Sequence, residues 1–170
     1  GILYVLSSED LKGWEDLKGK EINMIGRGLT PDIVLRRLLK ANGLIPDKDV
    51  KFKYINESTE LAQLFISGKS TLTIMPEPMV SKILLKKKNT KVILDLQKEW
   101  GKISKDNGSY PQAGLIIKND LIKKYPNIVE EFLNEYKESI VWLNKNPSKA
   151  GEYSEELKMG LNSKIVEKAI

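Results

Sequence analysis

The sequence predicts an α/β fold, a three-layer α/β/α sandwich built on a mainly parallel sheet. Three observations lead there. Short apolar runs alternate with stretches of helical period, giving the order β-α-β-α-β-α-β, which places helices on both faces of a parallel sheet. One stretch, Lys20 to Gly43, reads as a complete strand, glycine loop and helix. At 170 residues, 41% hydrophobic and 30% charged, the chain fits one globular domain with a real core.

Taken in order, Ile2 to Leu6 is a strand, because Tyr4 and Val5 favour β structure. Ser7 to Asp10 is a turn, and Trp14 to Lys18 is one helical turn ending at Gly19. Ile22, Met24 and Ile25 make a buried strand. Gly26 and Gly28 let the backbone turn sharply and approach a ligand. Thr30 is suited to the helix cap, Pro31 to the first turn, and Asp32 to the positive helix end. Ile33, Val34, Leu35, Leu38 and Leu39 form a wide apolar stripe that stops at Asn42-Gly43. Leu44 to Asp49 is a loop. Val50, Phe52 and Tyr54 alternate with Lys51 and Lys53 as a half-buried strand.

A helix capped by Ser58 or Thr59 follows and ends before Gly68. Thr71 to Met75 is a strand broken by Pro76-Glu77-Pro78, Met79 to Lys87 a helix, and Val92 to Leu96 a strand. Residues 97–107 read as irregular around Trp100, residues 108–111 as a turn, and Gln112 to Lys118 as a strand. Pro126 opens a long helix with Ile128, Val129, Phe132, Leu133, Tyr136, Ile140 and Leu143 on one face, ending before Pro147. Two weaker helices, near 148–157 and 162–169, finish the chain.

Composition narrows the function. There is no cysteine and no histidine. That removes disulfides, thiol nucleophiles, histidine-based triads and most zinc sites. The net charge of +5 is spread rather than clustered, apart from Lys86-Lys87-Lys88, and does not point to nucleic acid. No apolar run is long enough to span a membrane.

Ligands of parallel α/β sheets sit beyond the carboxyl ends of the strands. The loops Gly26–Thr30, Asn56–Thr59 and Met75–Pro78 share that edge. A helix N-terminus above a strand offers free N–H groups to an anion, so Gly26, Arg27, Gly28, Leu29 and Thr30 are candidate ligand contacts. The glycine spacing lacks the third glycine of the dinucleotide fingerprint and the Gly-Lys-Ser/Thr of a Walker loop. A plain capped connection is the alternative. Arg27 either clamps a carboxylate, sulfonate or phosphate or is a solvated loop arginine. Glu77 either pairs with a ligand amine or caps the next helix, the second being slightly favoured. Pro76 and Pro78 set the tight loop around it. Tyr110 and Gln112, on the return segment, are further candidates. Trp100 either stacks on a ligand ring or lids the core.

The order of motifs is also familiar. Asp16-Leu-Lys-Gly-Lys20 is followed by Gly26-Arg-Gly-Leu-Thr-Pro-Asp32, Lys40-Ala-Asn-Gly-Leu44, Asp49-Val50 and Met75-Pro-Glu-Pro78. Tyr125-Pro126, Glu138-Ser-Ile140 and Asn144-Lys-Asn-Pro147 come later. Over about residues 10–150 this resembles the solute-binding proteins of ABC importers, type II periplasmic-binding fold, nearest the nitrate/sulfonate/taurine and thiamine-precursor binding branch. Ser70-Thr71 departs from that branch, which has a small apolar residue and Asp there.

The resemblance implies one lobe of a two-lobe protein, the second, over residues 1–170, its mainly parallel sheet carrying an antiparallel strand. Residues 1–7 and 112–118 become candidate hinge-side strands, and residues 126–170 the C-terminal helices. It implies an extracytoplasmic bacterial protein, periplasmic or a cell-surface lipoprotein. Such a protein captures a small polar or anionic ligand between lobes and delivers it to the permease subunits. The expected partners are that ligand, the permease and a missing first lobe, with no nucleic acid, and the full-length form is a monomer. No catalytic residue, metal or cofactor is expected. The pyrimidine-precursor synthases that share the fold rely on histidine and cysteine, which this chain lacks. The alternative is the effector-binding domain of a transcription regulator with the same fold, although no helix-turn-helix segment is present.

Overall fold

Five strands form one mixed sheet: β1 (Leu3–Ser7), β2 (Glu21–Met24), β3 (Lys51–Tyr54), β4 (Leu72–Pro76) and β5 (Lys91–Asp95). In the computed structural model, which describes residues 2–104 and 108–170, their order is β3-β2-β4-β1-β5. β2 pairs in parallel with β3 and β4, whereas β1 lies antiparallel between β4 and β5. The sheet is thus mainly parallel with one antiparallel strand inside it.

Period-two alternation sorts the strand residues to the two faces. Leu3 and Val5 of β1, Ile22 and Met24 of β2, and Leu72 and Ile74 of β4 face one side. There they meet Val34, Leu35, Leu38 and Leu39 of α1 (Thr30–Ala41) and Leu96 of α4 (Leu96–Ile103). Leu6 of β1 and Met75 of β4 face the other side. They meet Leu61, Ala62 and Phe65 of α2 (Ser58–Ile66) and Val80 and Ile83 of α3 (Met79–Lys86). Helices therefore cover both faces. Each fully buried leucine of α1 contributes about 1.5–3 kcal/mol of transfer free energy.

The chain divides into two compact units, residues 1–110 and residues 111–170, where the sequence reading takes 1–170 as a single lobe. The second unit holds α5 (Asn119–Lys124), α6 (Pro126–Lys145), α7 (Pro147–Glu156) and α8 (Ser163–Ala169). α7 and α8 pack closely at Gly151, where an added Cβ would come within 2.6 Å of the Ser163 carbonyl oxygen. Trp142 of α6 stacks on Tyr153 of α7 with ring centroids 5.7 Å apart.

Several expectations are corrected. The strand predicted at Gln112–Lys118 does not form: residues 111–118 carry no sheet pairing, and Ile116 in their middle is 94% exposed. Leu115, Ile116 and Ile117 form an unbroken apolar run without alternation, and no strand of the sheet pairs with it. The irregular stretch predicted at 97–107 is helical through Ile103, because Asp95 Oδ1 accepts the Gln97 N–H at 3.1 Å and the Lys98 N–H at 3.3 Å as an N-cap. Ser104 follows in extended backbone, and residues 105–107 of that stretch, with Gly1 before the first strand, lie outside the described residues. The short α5 has no counterpart among the elements expected from the sequence. The predicted helical turn near Trp14 is a 3-10 turn at Glu15–Leu17.

Candidate ligand-binding site

The carboxyl ends of β3, β2, β4 and β5 lie along one edge of the sheet, and antiparallel β1 starts from that same edge. Leu3 sits opposite Pro76, and Tyr4 opposite both Met75 and Asp95. The Glu77 N–H donates to the Ile2 carbonyl at 3.0 Å, tying the loop after β4 to the start of β1. The loops read as Gly26–Thr30, Asn56–Thr59 and Met75–Pro78 follow β2, β3 and β4, whose order places those strand ends side by side on this edge; Ser58 and Thr59 already belong to α2, and Met75 and Pro76 to β4.

The Gly26–Thr30 loop is built by two left-handed residues, Gly26 (φ 73°) and Gly28 (φ 74°). The Leu29 N–H closes the turn on the Gly26 carbonyl at 2.8 Å. Arg27, Gly28 and Leu29 are exposed, while Gly26 and Thr30 are half-buried. The helix cap falls on Leu29, one residue before the predicted Thr30, and no side chain of the cap residue bonds there. Asp32 does that work instead. Its Oδ2 accepts the Gly28 N–H at 2.8 Å, and its Oδ1 accepts Arg36 Nε at 2.6 Å and the Tyr54 hydroxyl at 2.9 Å. Arg36 also donates to Asp47 (2.5 Å) and to Tyr54 Oη (3.0 Å). The Arg27 guanidinium lies over the Tyr54 ring, 5.6 Å from its centroid.

These contacts set the local titration. The Asp47 carboxylate first, then Tyr54 and Asp32, hold the Arg36 guanidinium above its ordinary value. Arg36 in turn holds the Asp47 carboxyl below its own. Burial is the main reason the Tyr54 hydroxyl is raised.

At the middle of the edge, Glu77 caps α3. Its carboxylate accepts the Ser81 N–H and the Ser81 hydroxyl, each at 3.1 Å, which realises the structural alternative of the two. Pro76 and Pro78 flank it, both half-buried.

Tyr110 lies at the far end of the first unit, 7% exposed, its ring edge-on to Trp100 at 5.4 Å. Its hydroxyl has no hydrogen-bond partner, and burial, with Asp95 and Tyr4 nearby, pushes its pKa up to about 12. Trp100 packs against the core cluster, as a lid rather than a free stacking surface. Gln112 falls in the second unit, half-buried, with its side-chain oxygen unpartnered.

Three residues of this edge were not singled out by sequence reasoning: Tyr4, Tyr54 and Asp95. Tyr4 and Tyr54 carry only a strand signal in sequence, and their neighbours come from pairing across 91 and 22 positions, with Asp95 and Asp32 respectively. Asp95 was legible as a cap before an amphipathic stretch. Among the described residues no group of three His, Cys, Asp or Glu side chains stands ready to hold a metal, and no helix is long and apolar enough to cross a membrane.

This fold is that of the type II periplasmic binding proteins. The periplasmic aliphatic sulphonate binding protein SsuA of Escherichia coli superposes with a TM-score of 0.75 at 19% identity, over 99% of this chain and 54% of that one. An ABC transporter protein of Parabacteroides distasonis gives 0.67 at 20% identity, over 99% and 56%. The alkanesulfonate-binding SsuA of Xanthomonas axonopodis pv. citri, bound to MOPS, gives 0.65 at 17%, over 99% and 54%. The chain thus spans about half the length of these structures. No curated protein matches it. The family model described as NMT1/THI5 like matches residues 1–150, and the chain belongs to that family.

Proposed function

We propose that this chain is the second lobe of the solute-binding component of an ABC importer. The observation that carries the proposal is the convergence of Gly26–Thr30 and Pro76–Pro78 on one sheet edge, in a chain whose family match runs through both loops. In this reading a first lobe faces that edge, and a small polar or anionic ligand is held between them. Arg27, with the Thr30 hydroxyl, supplies the charged and polar contact from this side, while Leu29 supplies apolar surface. Tyr110 supplies a buried hydroxyl in need of a partner. Gln112 lies on the segment that returns to the first lobe. Closure of the lobes on ligand marks the loaded form for the permease. The protein works outside the cytoplasm, in the periplasm or as a lipoprotein on the bacterial surface, as a monomer when whole, and carries out no chemistry.

The test is a thermal-shift panel of alkanesulfonates, amino acids, pyrimidines and polyamines. It is run on the 170-residue chain and on a two-lobe form. The expected result is one class of compound that raises the melting temperature of the two-lobe form and not of the single chain, because affinity needs contacts from both lobes. Arg27→Ala then weakens binding of an anionic hit about tenfold, the worth of one charge-assisted contact. A panel in which nothing stabilises the two-lobe form overturns the importer reading in favour of a regulator's effector domain.

A further inference from the structure

We propose that Asp32 is the positioning residue of the Gly26–Thr30 loop, and that it removes the Gly28 N–H from the set of groups a ligand can use. Asp32 is 4% exposed, yet it lies at the foot of an exposed loop. A buried carboxylate must be paired or fully hydrogen-bonded. This one accepts three bonds, from three different parts of the chain: the Gly28 N–H, Arg36 Nε and the Tyr54 hydroxyl. Arg36 is itself held from the far side by Asp47, so the carboxylate has a fixed orientation before anything binds. The positive end of α1, the obvious place for an anion, is thereby filled by an anion of the chain's own.

Two consequences follow for specificity, both resting on the reading of this loop as ligand-contacting. Gly28 N–H goes to Asp32 and Leu29 N–H to the Gly26 carbonyl, so neither belongs to a backbone cradle for a phosphate-like group. An anionic group on the ligand is met at this loop by the Arg27 guanidinium, placed by its seat over Tyr54, the same tyrosine that braces Asp32. Loop shape and arginine position are therefore set by one network, in advance of the ligand.

Amide hydrogen exchange of the 170-residue chain, followed residue by residue by NMR, tests this without any ligand. In the unmodified chain the Gly28 amide is protected although its residue is exposed. Asp32→Ala speeds Gly28 exchange about tenfold or more, while the Leu38 and Leu39 amides deeper in α1 keep their rates. Asp32→Asn, which keeps one acceptor oxygen but lacks the charge and faces Arg36 with an amide, falls between. If Asp32→Ala does not fold, Tyr54→Phe serves: it removes one brace, and Gly28 exchange rises severalfold against unchanged Leu38. An unprotected Gly28 amide in the unmodified chain overturns the proposal. So does protection that survives loss of Asp32, or a rise shared equally by Gly28, Leu38 and Leu39, which marks a purely global effect. A compound panel that finds no ligand bears on the importer reading and leaves this network where the exchange data put it.

Discussion

The two units treat their apolar residues in opposite ways. In the first, strands interleave with helices, and apolar side chains of β1 and β4 disappear into both faces of the sheet. In the second, α6 carries an apolar stripe as regular as that of α1, yet of its residues only Val129 is buried. Ile128, Phe132, Tyr136 and Ile140 remain 46–60% exposed. The sequence pattern of the two helices is alike. The difference is that α1 lies against a sheet of its own unit, while the second unit, residues 111–170, holds helices and no strand among the described residues. Amphipathicity records which face wants cover; it does not supply the cover.

The largest effect that sharpens this contrast is a paired truncation. Leu35→Ala, in a fully buried position of α1, lowers the unfolding free energy by about 2–5 kcal/mol, whereas Ile140→Ala at the matching face of α6 changes it by about 0.5 kcal/mol or less. Denaturant melts of the two variants check this. Equal losses would mean that α6 is covered after all.

A smaller effect concerns the loop that crowns α1. Gly26→Ala forces a side chain into the left-handed region and brings its Cβ to 3.2 Å from the Leu29 side chain. The expected loss is about 1–2 kcal/mol, read as a lower melting temperature. Gly160→Ala in the second unit, also at positive φ but with open space around it, keeps only the backbone part of that cost.

The smallest is a pH dependence on the acid side, at the rims of the first unit. The Lys20 ammonium and then the Thr71 hydroxyl hold the Glu9 carboxyl below its ordinary value, and Arg36 does the same for Asp47. Both folded values are depressed. Their stabilisation is therefore complete above the unfolded values, near about pH 4, and is lost as pH falls through the folded ones. Melting temperatures between pH 7 and pH 3 should fall, and Glu9→Gln should flatten part of the fall. An unchanged slope in that variant removes Glu9 from the account.

Much of this molecule is legible in sequence, for reasons that are local. The Lys20–Gly43 stretch announces strand, loop and helix because Gly26 and Gly28 sit where a left-handed turn is needed and Val34, Leu35, Leu38 and Leu39 recur at helical spacing. The Pro76–Pro78 break is equally plain. The carboxyl-edge convergence follows from the β-α alternation, since strands joined by helical crossovers must end on the same side. Two of the motifs that carry the family resemblance, Gly26–Asp32 and Met75–Pro78, lie on these same elements, while Tyr125-Pro126 and Glu138–Ile140 lie in the second unit.

Other features depend on what meets across the fold. The apolar run at Leu115–Ile117 reads as a strand, but a strand needs a partner, and no strand of the sheet pairs with it. Asp32 reads as a helix-dipole residue. That it also holds Gly28, Arg36 and Tyr54 follows only once β3 lies beside β2 and brings Tyr54 over the start of α1. Glu77 as a cap, Tyr4 facing Asp95, and the unpartnered hydroxyl of Tyr110 likewise come from pairing in space. Backbone propensity and hydrophobic period act within a few residues and are written into the chain itself. Register, burial and the partners of buried polar groups are properties of surfaces brought together, and those only the tertiary structure decided.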